Sequence, residues 1–296
     1  MIIQQATDFR EVAKMMAQIN ALANHHIGYC GTDPEEIYSV LKEDFQIEEI
    51  YLAYHQGEIV GILAFDYEVE TKSAEVWGPF ICDENWLDIA NVLWREHPLT
   101  KKNWDFEFFI NKNNRQLIEF ITEHLNGSYN GNYYVLKKTK KEHQPIQRKG
   151  QDIQLHNHNE KAEFIQLHEQ TFKQAYYSGA GILERLSETN RLFIYKSDSH
   201  VVGYVYLEGT PAFREGTIEF IGVDKFYRNQ GIGRKLLQEA VDFLFGELKV
   251  NELSLVVSED KKDAFHLYRS IGFTIRHELV SYELKKINEH IEAIGD

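Results

Sequence analysis

The two halves of this chain resemble each other, and nothing else in the sequence restricts its fold as much. Gly57-Glu58-Ile59-Val60-Gly61-Ile62-Leu63-Ala64-Phe65 lines up with Ser199-His200-Val201-Val202-Gly203-Tyr204-Val205-Tyr206-Leu207. Each segment reads as a tight turn entering a strand, and each follows another strand, Ile50 to Tyr54 or Leu192 to Tyr195. Further on, Ala74-Glu75-Val76-Trp77-Gly78 lines up with Ile218-Glu219-Phe220-Ile221-Gly222. The two offsets are 142 and 144 residues. A nearly constant offset implies a duplicated unit, and 296 residues accommodate two domains. The connector is the polar stretch 137–152, which holds Pro145 and Gly150 and shows no apolar period. The expected division is a domain over 1–140, a linker over 141–150 and a second domain over 151–296.

Charge narrows the partners. The net charge is −14, about −10 of it before residue 143 and −4 after. Phosphate backbones are held by Lys and Arg, so no nucleic-acid face is expected. No apolar run approaches the length of a membrane span. The first residues, Met1-Ile2-Ile3-Gln4-Gln5, lack a basic region followed by an apolar one, so no signal peptide is expected. Cys30 and Cys82 are the only cysteines and suggest no disulfide framework. Neither His156-x-His158 nor His25-His26 near Cys30 has the ligand set of a metal site, so no metal is expected. A cytoplasmic protein, monomer or homodimer, is the expectation.

The second half alternates helices and strands. Helices are predicted at about 160–175 and 181–190, a hairpin at 191–208 and a strand at 216–223. A long helix follows at 230–245, then a strand at 252–258, a helix at 261–271 and a strand pair near 273–284. In the long helix Ile232, Leu236, Leu237, Ala240, Val241 and Leu244 share one face at 3.6-residue spacing. The strand–helix–strand order implies a parallel pair with a right-handed crossover, hence an α/β class fold with a mixed sheet.

Between strand and long helix runs Val223-Asp224-Lys225-Phe226-Tyr227-Arg228-Asn229-Gln230-Gly231-Ile232-Gly233-Arg234-Lys235. Gly231 and Gly233 leave one side of the helix start bare, where free N–H groups and the helix dipole attract an anion. Lys225, Arg228, Arg234 and Lys235 concentrate four positive charges there in an acidic protein. The Lys-Ser/Thr pair of a P-loop is missing, and so is the third glycine of a dinucleotide fingerprint.

Arg228-x-x-Gly231-x-Gly233 resembles the acyl-CoA pyrophosphate loop of the GNAT superfamily of N-acetyltransferases. Downstream, Ala264-Phe265-His266-Leu267-Tyr268-Arg269-Ser270-Ile271-Gly272-Phe273 is similar to that family's second signature, a helix with a Leu-Tyr pair ending in Gly-Phe. The resemblance covers residues 151–285 and extends faintly, through the repeat, over 1–140. It implies two tandem GNAT-like domains and the transfer of an acetyl group from acetyl-CoA to a primary amine by direct attack. An alternative is a non-catalytic acyl-CoA-binding sensor or scaffold. Coenzyme A would lie between strands 216–223 and 252–258. Ile221, Val223, Arg228, Asn229, Gln230, Gly231, Ile232, Gly233 and Arg234 would bind it, and the N–H near Val223 would polarise the acyl carbonyl. Tyr268 would protonate the leaving thiolate, a role that suits a phenol. From helical spacing alone, Tyr268 also reads as a core aromatic.

Glu219 is the candidate base, on a strand face read as shared with Ile221 and Val223 among apolar neighbours. Glu75 stands at the matching place in the first half, which leaves a structural role open. His266 points to a different helix face from Tyr268, and Lys261 stands where the family often has Asn. Tyr176 and Tyr177, in the loop before Ser178-Gly179-Ala180-Gly181, are candidate acceptor residues, although a plain helix–helix turn fits as well. The first half has Pro79-Phe80-Ile81-Cys82-Asp83-Glu84 in place of the loop, with Thr122 in the place of Tyr268. It reads as a copy that no longer binds coenzyme A.

Overall fold

The turn-and-strand repeats at 57–65 and 199–207 form the same element in each half, an antiparallel hairpin leading into a long central strand. The computed structural model describes residues 1–143, 153–173 and 175–285, so most of the expected linker lies outside the described residues. The chain divides into two compact units, Met1–Tyr133 with His277–Asp296, and Tyr134–Arg276. No helix among the described residues is long and apolar enough to cross a membrane.

In the first unit, β1 (Ile2–Gln5) leads to α1 (Phe9–Asn20) and α2 (Pro34–Asp44). Both helices begin at an Asp whose carboxylate accepts from first-turn N–H groups, Asp8 for α1 and Asp33 before the N1 proline of α2. Next come β2 (Tyr51–His55), β3 (Glu58–Glu68), β4 (Ser73–Ile81), α3 (Trp86–Glu96), β5 (Asp105–Asn111) and α4 (Arg115–Glu119). Strands β1 to β4 pair antiparallel in order, and β5 joins β4 in parallel. β6 (Ser128–Thr139) then carries the chain into the second unit.

The second unit repeats the plan with β7 (Ile153–Leu155), α5 (Lys161–Thr171), α6 (Gly179–Glu184), β8 (Arg191–Ser197) and β9 (His200–Thr210). It continues with β10 (Glu215–Val223), α7 (Ile232–Asp242), β11 (Glu252–Ser258) and α8 (Lys262–Ser270). Strands β7 to β10 are antiparallel, and β11 is parallel to β10 across the α7 crossover. The sheet is covered on both faces. Leu236, Leu237, Ala240 and Val241 of α7 pack with Val205, Leu207, Leu253 and Leu255. Phe164 and Leu167 of α5 and Ile182 of α6 pack with Tyr204, Tyr206 and Phe220. Alternation along β9 supplies both cores from one strand. The mixed α/β class agrees with the sequence reading, while α6 starts two residues earlier and ends six residues sooner than expected.

The last strand differs more. The sequence suggests a strand pair within the second half, but β12 (Thr274–Leu284) is one strand. From Leu279 to Leu284 it pairs antiparallel with Asn111 to Phe106 of β5, so the C-terminal segment completes the first unit. Lys112 pairs with Glu278, and the His277 ring stacks on His26 at 3.9 Å. The second unit in turn takes residues 134–139 of β6 beside β11. There Lys137 pairs with Glu252, Tyr134 Oη donates to Glu259 at 3.1 Å, and Lys140 N donates to Asn251 O at 2.9 Å. The units therefore do not follow the expected 1–140 and 151–296 division. A sheet edge needs some partner for its N–H and C=O groups. Both terminal strands carry similar alternating residues, so sequence pattern does not say which edge each completes.

The two units share one register. Gly61 faces Ile81 and Phe65 faces Val76, as Gly203 faces Val223 and Leu207 faces Ile218. The offset is thus 142 on both sides of the bulges, and Glu75 corresponds to Thr217, not to Glu219. Trp77 faces Ala64 as Phe220 faces Tyr206, so Glu219 has no counterpart in the first unit. The 144-residue alignment is therefore not the structural one; each strand also carries a β-bulge at a different point, near Ile62/Ala64 in one unit and at Ile218/Phe220 in the other.

Fragments cut at the sequence linker, 1–140 and 151–296, each lack a strand the whole chain supplies. The expected outcome is that neither gives a cooperative thermal transition by circular dichroism, while the intact chain does. A sharp transition for either fragment alone would show that the exchanged strand is dispensable.

Candidate functional site

β10 and β11 pair at only three positions, Glu215–Glu252, Gly216–Leu253 and Thr217–Ser254. Both strands run on, to Val223 and Ser258, without further pairing to each other. Beyond Thr217 the parallel strands part, leaving a gap lined by main chain. Asp224 N donates to Val202 O at 2.9 Å. Bonded pairs alternate along an antiparallel ladder, so the N–H groups of Val223 and Ile221 turn away from β9 toward the gap.

The glycine segment closes one end of this gap. Asp224 caps the turn after β10 by accepting from Phe226 N at 2.8 Å, and Arg228 Nε donates to Val223 O at 3.0 Å. Asn229 and Gly231 both take positive φ, 62° and 78°. A Cβ on Gly231 would meet nothing within 4 Å, so glycine here answers the backbone conformation and not a lack of room. Gly233 is different: a Cβ there would lie 3.3 Å from Leu267 of α8. Gly231 is the N-cap of α7 and no side chain caps the helix. The first N–H groups of a helix lack intrahelical partners, and with the dipole they form an anion site. The exposed Arg234 is held to α8 by Ser270, 3.2 Å to Oγ. Lys235 Nζ donates to Tyr195 Oη at 3.2 Å, and Lys225 lies over the Phe226 ring. Ile232 is buried in the core and offers only its backbone. An uncapped helix start, an open glycine and unpaired strand N–H groups fit a phosphate-bearing acyl carrier extended along the gap.

The bulge decides where Glu219 points. Ile218 faces Leu207 and Phe220 faces Tyr206, so Glu219 is the extra residue. Ile221 and Val223 pack on the α7 side with Leu236 and Tyr268. Glu219 instead accepts a hydrogen bond from Tyr176 Oη, whose ring packs on Phe220 at 4.9 Å on the α5–α6 side. The strand face that the sequence reading gives to Glu219, Ile221 and Val223 together is therefore split. A bulge breaks period-two alternation and presents two adjacent residues to one side. Nor is Glu219 walled in by apolar groups, since a phenol is its partner.

Tyr176 and Tyr177 do come together with this carboxylate. Their rings lie 4.6 Å apart, and the Arg185 guanidinium sits 3.9 Å over Tyr177. The site also contains residues that sequence reasoning missed. Tyr206 Oη donates to Glu208 Oε1 at 2.6 Å. Burial pushes the Glu208 carboxyl up, against the Tyr206 hydrogen bond and with Glu219 adding to it. The available signal was a lone carboxylate near the end of an otherwise apolar strand. Tyr268, on α8, is 7% exposed and packs near Phe273 with ring centroids 6.2 Å apart. Burial raises its phenol and keeps it protonated. His266 and Lys261 are exposed on other faces of the same segment.

Residues 155–273 match the model of the acetyltransferase (GNAT) family. This stretch is a GNAT-family domain. Over 81 residues the chain is 42% identical to N-alpha-acetyltransferase RimI of Mycobacterium tuberculosis, covering 26% of this chain and 48% of that protein. Over 94 residues it is 28% identical to spermidine N(1)-acetyltransferase of Escherichia coli, covering 31% and 50%. The chain thus spans about half the length of these curated relatives. The whole fold is similar to a GCN5-related N-acetyltransferase from Sphaerobacter thermophilus, at TM-score 0.74 and 17% identity over 95% of this chain and 94% of that one. It is also similar to a tandem GNAT protein from the clavulanic acid biosynthesis pathway, at TM-score 0.67 and 13% identity over 97% and 99%. The two units are therefore GNAT-like halves in tandem.

The first GNAT-like half lacks the site's parts. Its β4 and β5 also part after three register pairs, ending at Glu75–Glu107. But Pro79, two residues beyond Trp77, has no N–H to offer where Ile221 has one. After β4, Asp83 spends its carboxylate on Asn85 N at 2.8 Å and lies 3.7 Å from His55. In the sheet Asp66, Glu75 and Glu107 stand directly opposite one another on three adjacent strands, a destabilising arrangement of like charges. Burial, then Asp66 and Glu107, push the Glu75 carboxyl up to about 7.

A carboxyl raised on folding binds its proton more tightly in the folded state. Stability is then greatest below the unfolded value near 4.5 and is lost as pH rises through 7, by on the order of 3 kcal/mol. Glu75→Gln should remove that loss. Its melting temperature should exceed that of the wild type at pH 8 and match it near pH 4, measured by calorimetric scans. Equal melting temperatures at both values would mean Glu75 is not strained.

Proposed function

We propose that this chain is an acetyl-CoA-dependent N-acetyltransferase, that its second unit carries the reaction, and that its acceptor is a primary amine on a small molecule. The observation that carries this reading is the parting of β10 from β11 directly above the uncapped start of α7. The backbone N–H groups of Asn229 to Arg234 are the pyrophosphate ligands, with Arg228 bracing the loop through Val223 O. Acetyl-CoA, when bound, supplies an acetyl group activated as a thioester. The N–H groups of Ile221 and Val223 face the gap as preorganised donors for the acyl carbonyl oxygen. Glu219 accepts the proton of the acceptor ammonium on its carboxylate, and Tyr268 gives a proton from Oη to the departing sulfur. With Glu75 aligned to Thr217, the first half no longer offers a purely structural counterpart of Glu219. The acidic cluster of Glu208 and Glu219 beside two tyrosine rings favours a cationic acceptor. The first unit, lacking the N–H groups and carrying Asp83, Glu84 and Asp88 at the loop position, binds no coenzyme A in this reading.

Calorimetric titration with acetyl-CoA is the first test. One site per chain is expected, abolished by Gly231→Glu, which puts a carboxylate and a strained φ at the anion site. Turnover is then followed as free thiol release with spermidine, free L-amino acids and peptides with an unblocked N-terminus. Tyr268→Phe should lower kcat by about 100-fold or more while leaving acetyl-CoA affinity unchanged. Absence of binding by the wild type overturns the enzyme reading. Binding without turnover on any amine would move the chain to the class of acyl-CoA sensors.

A further inference from the structure

His168, on α5, is fully buried and has no part in the chemistry described above. Its ring lies among Phe164, Phe172, Tyr204 and Phe220, with centroids 5.0 to 6.0 Å away. Both nitrogens are engaged. Nδ1 is 2.7 Å from Tyr204 Oη and Nε2 is 2.9 Å from the carbonyl oxygen of Tyr177. A carbonyl only accepts, so Nε2 carries the hydrogen and donates. In the neutral ring Nδ1 then accepts from the Tyr204 O–H. A buried imidazole without partners is costly, so these two bonds and the ring position fix one another.

The two ends of this chain of contacts reach the acceptor side. The Tyr204 ring lies against its cross-strand partner Gly222, where an added Cβ would be 2.6 Å from Cε1. Gly222 belongs to β10, three residues from Glu219. At the other end, the Tyr177 carbonyl is the anchored point next to Tyr176. The Tyr176 residue is 65% exposed, yet its O–H is directed at the Glu219 carboxylate. Glu169, the next residue of α5, fixes the following turn, accepting from Gly179 N at 2.9 Å. The last turn of α5 therefore holds the main chain at residues 177 and 179.

We propose that His168 is a positioning residue for the acceptor side: through Tyr204 and the Tyr177 carbonyl it keeps Tyr176 on Glu219 and so orients that carboxylate. The inference rests on the reading of Glu219 as the acceptor-side carboxylate, but its test needs no acceptor. Nitration of the intact protein by tetranitromethane attacks phenolates, and a phenol donating to a carboxylate resists it. Nitration of Tyr176 is read by peptide mass spectrometry, with the exposed Tyr129 as internal control. His168→Phe keeps an aromatic ring and removes both hydrogen bonds. It should raise Tyr176 nitration about fivefold, the loss expected for one net hydrogen bond, with Tyr129 unchanged. His168→Gln, whose amide can donate to the Tyr177 carbonyl, should restore much of the protection. Tyr204→Phe removes a single oxygen and keeps the ring, and it should raise Tyr176 nitration to a smaller extent. Acetyl-CoA affinity by calorimetry should be unchanged in all three. If Tyr176 nitration stays at the wild-type rate in His168→Phe and Tyr204→Phe, the proposal is overturned. It is equally overturned if Tyr129 nitration rises in step or if acetyl-CoA affinity falls in both, since His168 would then be a general core residue. Failure of the wild type to bind acetyl-CoA would strike the functional reading and leave the nitration result standing.

Discussion

The site depends on a parallel ladder that stops early. β10 and β11 pair through Thr217–Ser254 and no further. Main-chain donors in a folded protein must find partners, and those beyond Thr217 are left facing a gap. α7 begins at the same end, with its own first-turn N–H groups uncapped. Two sets of main-chain donors, one from a strand and one from a helix, thus lie at the same end of β10. The exposed Lys225, Arg228, Arg234 and Lys235 add potential around them, but Arg228 and Arg234 spend hydrogen bonds on holding the loop.

A single extra residue in β10 separates the two sides of that gap. Because Glu219 is the bulge, Ile221 and Val223 can face α7 and α8 while Glu219 reaches Tyr176 on the α5–α6 side. Without it, strict alternation would put all three on one face. The first unit has its bulge elsewhere and no counterpart of Glu219; Trp77 takes the place of Phe220 and is buried beside Phe45. Duplication preserved the parting of the strands in both units, while the donors and the carboxylate remain in one. The row of Asp66, Glu75 and Glu107 shows how far the first unit has diverged: the equivalent places in the second are Glu208, Thr217 and Ser254, with one carboxylate instead of three.

The proposed coenzyme side was legible in the sequence as a pattern, because it is made from consecutive residues. Gly231 and Gly233, the apolar stripe of α7, and the Leu267-Tyr268 pair are local patterns whose meaning does not change with packing. Glu208, Tyr206 and His168 were not legible as a group. They lie on separate elements, and only the facing of β9 against β10 and the packing of α5 on the sheet bring them together. The 144-residue alignment misled for a related reason, since strand register is set by the partner strand and a short apolar stretch matches at more than one offset.

The sequence by itself determined the duplication, the α/β class, the glycine loop at the start of α7 and the family resemblance of the second half. Each of these follows from short-range periodicity, from repeated local pattern or from Gly231, whose left-handed backbone favours glycine. The tertiary structure alone decided which edge β6 and β12 complete, which way Glu219 faces, and that a buried histidine ties Tyr204 to the Tyr177 carbonyl. The reason is physical: strand pairing, bulge position and buried hydrogen bonds are settled by partners distant in sequence, where local residue preference is silent.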